Sequence, residues 1–204
     1  MYTFHLTEEL ARWAFEVVCL QRKDWIVAFT NPTAGPWKTI QCTDLKTGES
    51  GEVHRFELEE TRPDIVLVND KLKMVLIVEA KDSIEKLIAG HQASKSIEVV
   101  GRLAKVLKSK KGCRFWGGRS AYRIVPALLW GAERDVTDRE CKDLFALYRK
   151  AIGLVSNVAG DLMVGIETRR IGERLECQIC GAGRRQRNAL DALAESFGLA
   201  LRTF

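Results

Sequence analysis

Asp64, Glu79 and Lys81 lie near the middle of this 204-residue chain, and their types and spacing suit chemistry on a phosphate. Asp64 opens one apolar run, Ile65–Val68, and Glu79 follows another, Leu72–Val78, with a polar break at Asn69, Asp70 and Lys71 between them. Two β-branched-rich runs around a short break predict a β-hairpin with buried strands. Lys81 follows Glu79 by two residues, so a continuing strand points both side chains to one face. A two-residue turn at Asp70-Lys71 sets Asp64 across from about Ile77, on that same face. Two carboxylates and an ammonium then converge at one end of an otherwise apolar hairpin. Burying charge is costly, so such a grouping points to a functional site.

Pro63-Asp64, fourteen intervening residues, then Glu79-Ala80-Lys81 resembles the signature of the PD-(D/E)xK nuclease superfamily. That superfamily includes most type II restriction endonucleases, Holliday-junction resolvases and RecB-like nuclease domains. The resemblance covers about residues 50–130, and its specific part is five residues. It implies a mixed α/β fold, a restriction-endonuclease-like αβββαβ core with helices on both faces of the sheet. It also implies Mg²⁺, with Mn²⁺ as a substitute, held by Asp64, Glu79 and the backbone carbonyl of Ala80. Hard cations prefer such oxygens, and they ease phosphodiester hydrolysis by neutralising charge and stabilising the leaving alkoxide. Lys81 would hold or help deprotonate the attacking water and place positive charge near the phosphate. The products implied are 5′-phosphate and 3′-hydroxyl ends. A further acid from the first helix is frequent in the superfamily, and Glu16 and Glu9 are the candidates.

Each half of the signature is commonplace alone: Asp64 could cap a turn, and Glu79 could pair with Lys81 on a surface. Both halves flanking one hairpin, in order and followed by a helix, favour the metal site. A basic segment supports it. Residues 102–123 contain Arg102, Lys105, Lys108, Lys110, Lys111, Arg114, Arg119 and Arg123 and no acid, with Phe115, Trp116 and Tyr122 among them. Lysine and arginine gain affinity by releasing counterions from DNA, and aromatics can stack on bases. Lys108, Lys110, Lys111, Arg114, Trp116, Arg119 and Arg123 are therefore candidate DNA contacts. Gln92 is another, because the RecB-like branch carries a Gln at this place. That branch follows it four residues later with Tyr, where Ser96 stands here, which argues against that branch. Cys177-x-x-Cys180 lacks a second ligand pair, so its cysteines read as ordinary thiols in a strand rather than a zinc site.

Around the hairpin, Thr7 predicts an N-cap, and Leu6, Leu10, Trp13, Ala14 and Val17 recur at helical spacing to about Leu20. Trp25–Thr30 reads as a short strand, 31–51 as loop or irregular hairpin, and Val53–Glu59 as a strand. Asp82 and Glu85 have capping-box spacing before one helix reaching roughly Leu107. Tyr122–Trp130 reads as a strand, and Thr137 or Asp138 caps a helix to about Ile152 with Leu144, Leu147, Tyr148 and Ala151 inward. Asp161–Thr168 and Arg174–Cys180 read as strands, and Gln186–Phe197 as a closing helix.

The length fits one nuclease domain, residues 1–204, with its catalytic core at about 50–130 and a C-terminal extension at about 155–204. A net charge of +5 suits an anionic partner without selecting one. There is no apolar run long enough to span a membrane, and the N-terminus lacks the regions of a signal peptide, so a cytoplasmic location is expected. The function expected is a sequence-specific type II restriction endonuclease acting on double-stranded DNA as a homodimer, without a small-molecule cofactor. The alternatives are a Holliday-junction resolvase or repair nuclease, and a non-catalytic DNA-binding protein; an RNA substrate also stays open.

Overall fold

The computed structural model describes residues 6–30, 40–43, 50–53, 63–89, 97–101, 119, 121–152, 162–182 and 186–204. Helix α1 (Glu8–Leu20) leads into strand β1 (Trp25–Thr30). A small separate hairpin follows, β2 (Ile40–Thr43) paired with β3 (Ser50–Val53). Then come β4 (Ile65–Asn69), β5 (Met74–Lys81), α2 (Ile84–Ile88), β6 (Arg123–Ala132) and α3 (Asp138–Ile152). The chain ends with β7 (Val164–Ile171), β8 (Arg174–Gly181), α4 (Arg187–Phe197) and β9 (Ala200–Thr203).

Seven strands form one mixed sheet in the order β1-β4-β5-β6-β7-β8-β9. β1, β4 and β5 run antiparallel in turn, β5, β6 and β7 are parallel, β8 is antiparallel to β7, and β9 is parallel to β8. The sheet has helices on both faces. Leu76, Val78 and Ala80 of β5 share a core with Ala11 and Phe15 of α1 and with Leu190, Leu193 and Phe197 of α4. Leu128 and Trp130 of β6 pack on the other side with Ile84 and Leu87 of α2 and Leu144, Phe145 and Tyr148 of α3. Covered twice, β4 is buried at every position and needs the continuous apolar run seen in its sequence.

The predicted hairpin forms, with a longer loop. Asn69 pairs with Met74, so residues 70–73 make a four-residue connection instead of two. Asn69 closes it: its buried side chain accepts from the Leu72 amide at 2.8 Å, and Lys73 takes the left-handed conformation at φ 51°. The register moves by two residues, and a shift of two leaves every side chain on its expected face.

Other boundaries differ from the sequence reading. The α2 N-cap is Ser83, whose hydroxyl accepts from the Lys86 amide, while Asp82 pairs with the Lys86 ammonium. Helix α2 ends at Ile88, because Ala89 is extended, and a separate helical stretch occupies 97–101. The long helix to Leu107 is thus broken. Of the 53–59 strand, Val53 closes β3 and the rest lies outside the described residues. α1 is rotated from the predicted stripe: Ala11, Ala14, Phe15 and Cys19 are buried, and Trp13 is 58% exposed. On α3, Cys141, Phe145 and Ile152 join Leu144 and Tyr148 inside, and Leu147 points out. Thr137 and Glu140 form a full capping box for α3, each taking the other's amide.

Candidate active site

The open end of the β4–β5 hairpin gathers the three residues singled out by sequence. One step past the last paired residues, Ile65 and Val78, the Asp64 amide donates to the Val78 carbonyl at 3.0 Å. Asp64 then turns its carboxylate onto the chain: Oδ2 accepts from the Ala80 amide at 2.7 Å. Glu79 and Lys81, on the same face of β5, meet directly, with Lys81 Nζ 3.0 Å from Glu79 Oε1. The ammonium also donates to the Ala80 carbonyl at 2.5 Å.

Helix α1 brings a second set of charges. Glu8 Oε2 lies 3.6 Å from Lys81 Nζ, and Arg12 Nε lies 3.5 Å from Glu16 Oε1. Glu8, Arg12 and Glu16 recur every four residues and so form one stripe of the helix. Thr7 caps the helix, accepting from the Leu10 amide, and the Leu6 amide donates to Glu133 Oε1 at 2.7 Å. These contacts fix where the stripe starts.

The electrostatics follow from crowding acids into a dry corner. Asp64 is 7% exposed, and burial raises its carboxyl above the usual range against the Ala80 amide, Lys81 and Arg12. Burial, then the Asp64 charge, pushes Glu79 up to about 7. Glu8 and Glu16 are raised too, chiefly by burial, with Asp64 adding to each. Burial alone would lower Lys81, but Glu79, Asp64 and Glu8 outweigh it and hold the ammonium above its ordinary pKa. Among the described residues the corner is short of positive charge. Two cations, Lys81 and Arg12, face Asp64, Glu79, Glu8 and Glu16, and the Glu9 charge adds to the repulsion on Asp64 and Glu8.

Among the described residues, no three His, Cys, Asp or Glu side chains stand together as a ready-made metal cage. The donor chemistry nevertheless fits a hard divalent cation. The Glu79 carboxylate and the Ala80 carbonyl already share one cation, the Lys81 ammonium, and oxygens of this kind are those Mg²⁺ prefers. A cleft of about 630 Å³ opens just past the end of β5, lined by Asp82, Ser83, Lys86, Gly131 and Arg134 among others. Gly131 lets the Asp82 carbonyl and the Leu6 side chain pack close against the strand, since a Cβ there would stand 2.9 Å from each. The cleft lies at the carboxyl ends of parallel β5 and β6, a common place for ligands in such sheets.

Of the remaining candidates, Arg119 and Arg123 lie away from this corner. Arg119 is held at the opposite end of the hairpin, where Nε and Nη2 each reach Asp70 at 2.8 Å. The Tyr122 hydroxyl donates to the same carboxylate. Arg123 pairs in register with Met74, five residues up β5 from Glu79, which is about 17 Å along a strand. Gln92, Lys108, Lys110, Lys111, Arg114 and Trp116 lie outside the described residues. Cys177 and Cys180 are free thiols three residues apart on β8, so they face opposite sides and cannot share a metal. Sequence reasoning overlooked Glu8 and Arg12. Their four-residue spacing with Glu16 was the available signal.

No helix among the described residues is long and apolar enough to cross a membrane. Comparison with protein-family models, with curated proteins and with solved structures found no match to this chain.

Proposed function

We propose that this chain is a Mg²⁺-dependent endonuclease of the PD-(D/E)xK type that hydrolyses DNA phosphodiester bonds, a sequence-specific restriction endonuclease leaving 5′-phosphate and 3′-hydroxyl ends. The observation that carries the reading is the convergence of Asp64, Glu79, the Ala80 carbonyl and Lys81 at one hairpin end. A binding protein needs no such buried, mutually repelling acids. The element order supports it: with the β2–β3 hairpin set aside as an insertion after β1, the run α1, antiparallel β1, β4 and β5, then α2 and parallel β6 is similar to the αβββαβ order of that core. Asp64, Glu79 and the Ala80 carbonyl would hold Mg²⁺, with Mn²⁺ as a substitute. The bound ion would neutralise phosphate charge and stabilise the leaving oxygen. Lys81 positions the attacking water and offsets the phosphate charge. Asp64, through its bond to the Ala80 amide, fixes the strand end that presents these groups. Cutting both strands of a symmetric duplex requires two sites, hence a homodimer acting in the cytoplasm.

The test is incubation of the protein with mixed-sequence duplex DNA in Mg²⁺ or in EDTA, beside a Lys81→Ala variant. Discrete fragments that need Mg²⁺ and vanish in the variant are expected. A smear would keep the nuclease and remove sequence specificity. Cutting of four-way junctions alone would select a resolvase, and binding without cutting would remove the enzyme.

A further inference from the structure

Lys81 Nζ has a place that is unusual for a residue whose task is to meet a phosphate. It donates to Glu79 Oε1 at 3.0 Å and to the Ala80 carbonyl at 2.5 Å, and it lies 3.6 Å from Glu8 Oε2. Two of these oxygens are the ones the proposed function assigns to the metal, and the third comes from the helix beside them. The Lys81 side chain is only 16% exposed, as is that of Glu79. We propose that Lys81 is the resident cation of the metal-free site, so that a divalent ion enters by displacing the ammonium from Glu79 and Ala80. The inference rests on the metal-centre reading and adds an order of events to it.

The physical argument is one of shared oxygens. Mg²⁺ demands ligand oxygens at about 2.0–2.1 Å. An ammonium within hydrogen-bond distance of those same oxygens would sit in repulsive contact with the ion, so the two cannot bind them together. The ammonium is also a good occupant in the absence of metal. It has three donors for three oxygens, and it supplies part of the positive charge that Asp64, Glu79, Glu8 and Glu16 lack. Once displaced from Glu79 and Ala80, Lys81 keeps Glu8 as its acidic neighbour, and Asp82, the next residue, is already engaged through Oδ2 with Lys86. The freed ammonium is then available to an incoming phosphate. The metal thus arms the lysine, and without metal the lysine is held by the acids it would serve beside.

The experiment is a calorimetric titration of the full-length protein with Ca²⁺ in the absence of DNA. The proteins are the parent, Lys81→Met and Arg12→Met. Methionine keeps the unbranched stem and removes the charge. Lys81→Met is expected to bind Ca²⁺ on the order of tenfold more tightly than the parent, about 1.4 kcal/mol. Arg12→Met removes a charge from the same corner without vacating Glu79 or Ala80, and is expected to gain distinctly less. Equal gains in the two variants, or no gain in Lys81→Met, would overturn displacement and leave the metal site standing. Absence of Ca²⁺ binding in all three would overturn the metal-centre reading itself, and displacement with it. A second measurement needs no variant: amine acylation of the parent protein, read at Lys81 by peptide mass spectrometry. Saturating Ca²⁺ is expected to raise the labelling rate at Lys81 as the ammonium leaves its oxygens. Protection, or no change, sinks the inference even where a variant does not fold.

Discussion

Glu79 couples the site to the stability of the whole fold. In metal-free protein it releases its proton at about 7 when folded, against an ordinary value of 4.5. Between those values the folded state binds more protons than the unfolded one, so stability falls as pH rises through this window. A rise of that size corresponds to about 3 kcal/mol. Asp64, Glu8 and Glu16 are raised as well, and they push in the same direction. Denaturant unfolding in EDTA is therefore expected to show a parent protein less stable at pH 8 than at pH 5. Glu79→Gln should flatten that dependence and unfold later than the parent at pH 8. A parent that gains stability from pH 5 to pH 8 would contradict the geometry of the corner. At this scale the sequence was informative for Asp64, Glu79 and Lys81, because covalent spacing within one hairpin places them. Glu8 and Arg12 belong to a helix docked from elsewhere, and no local spacing states where that helix will lie.

Helix α1 shows why docking escaped the periodicity. Its apolar residues fall into two stripes, Leu10, Trp13 and Val17 against Ala11, Phe15 and Cys19, and either could face the sheet. The structure buries the second, with Phe15 tilted on Phe197 at 5.2 Å and Trp25 stacked on the same ring at 4.3 Å. With the first stripe chosen, Glu16 and Glu9 stand at its edge; the docked helix keeps Glu16 in the corner and adds Glu8, which the stripe did not single out. The hairpin is the contrary case. Its loop is two residues longer than the sequence suggested, yet the site survives, since strand side chains repeat every second residue. Asn69 is the lever at this scale. Asn69→Ala removes the acceptor for the Leu72 amide inside the loop and is expected to cost about 1–3 kcal/mol by denaturant unfolding. Its Ca²⁺ affinity should stay at the parent value, because the loop and the acids occupy opposite ends of the hairpin. A loss of affinity at unchanged stability would show that the loop acts on the site directly.

The sheet is tied together at its far side by the last residues of the chain. Strand β9 was not anticipated: Ala200–Thr203 is too short, and too weakly alternating, to show a strand pattern. It adds in parallel to β8 and brings in Arg202, which reaches the Val136 carbonyl at 2.7 Å, Asp138 at 2.8 Å and the fully buried Glu167 at 3.4 Å. Glu167 is also held by Arg169 and Gln178. Arg202→Met leaves that buried carboxylate short of one partner and is expected to cost on the order of 2 kcal/mol. Truncation after Gly198 should cost more, with loss of cooperative thermal unfolding as the result to look for. A truncated chain as stable as the parent would remove the tether.

The two strands that border the sheet are both poor templates for another strand. β1 breaks its register with a bulge between Val27 and Phe29, and β9 has four residues, one of them an arginine tied inward. A flat, unbroken border would offer a row of amides and carbonyls to any extended chain that met it. Here neither border of the seven-stranded sheet offers one, so the sheet that carries the corner of acids is guarded at both sides against edge-to-edge pairing of folded molecules.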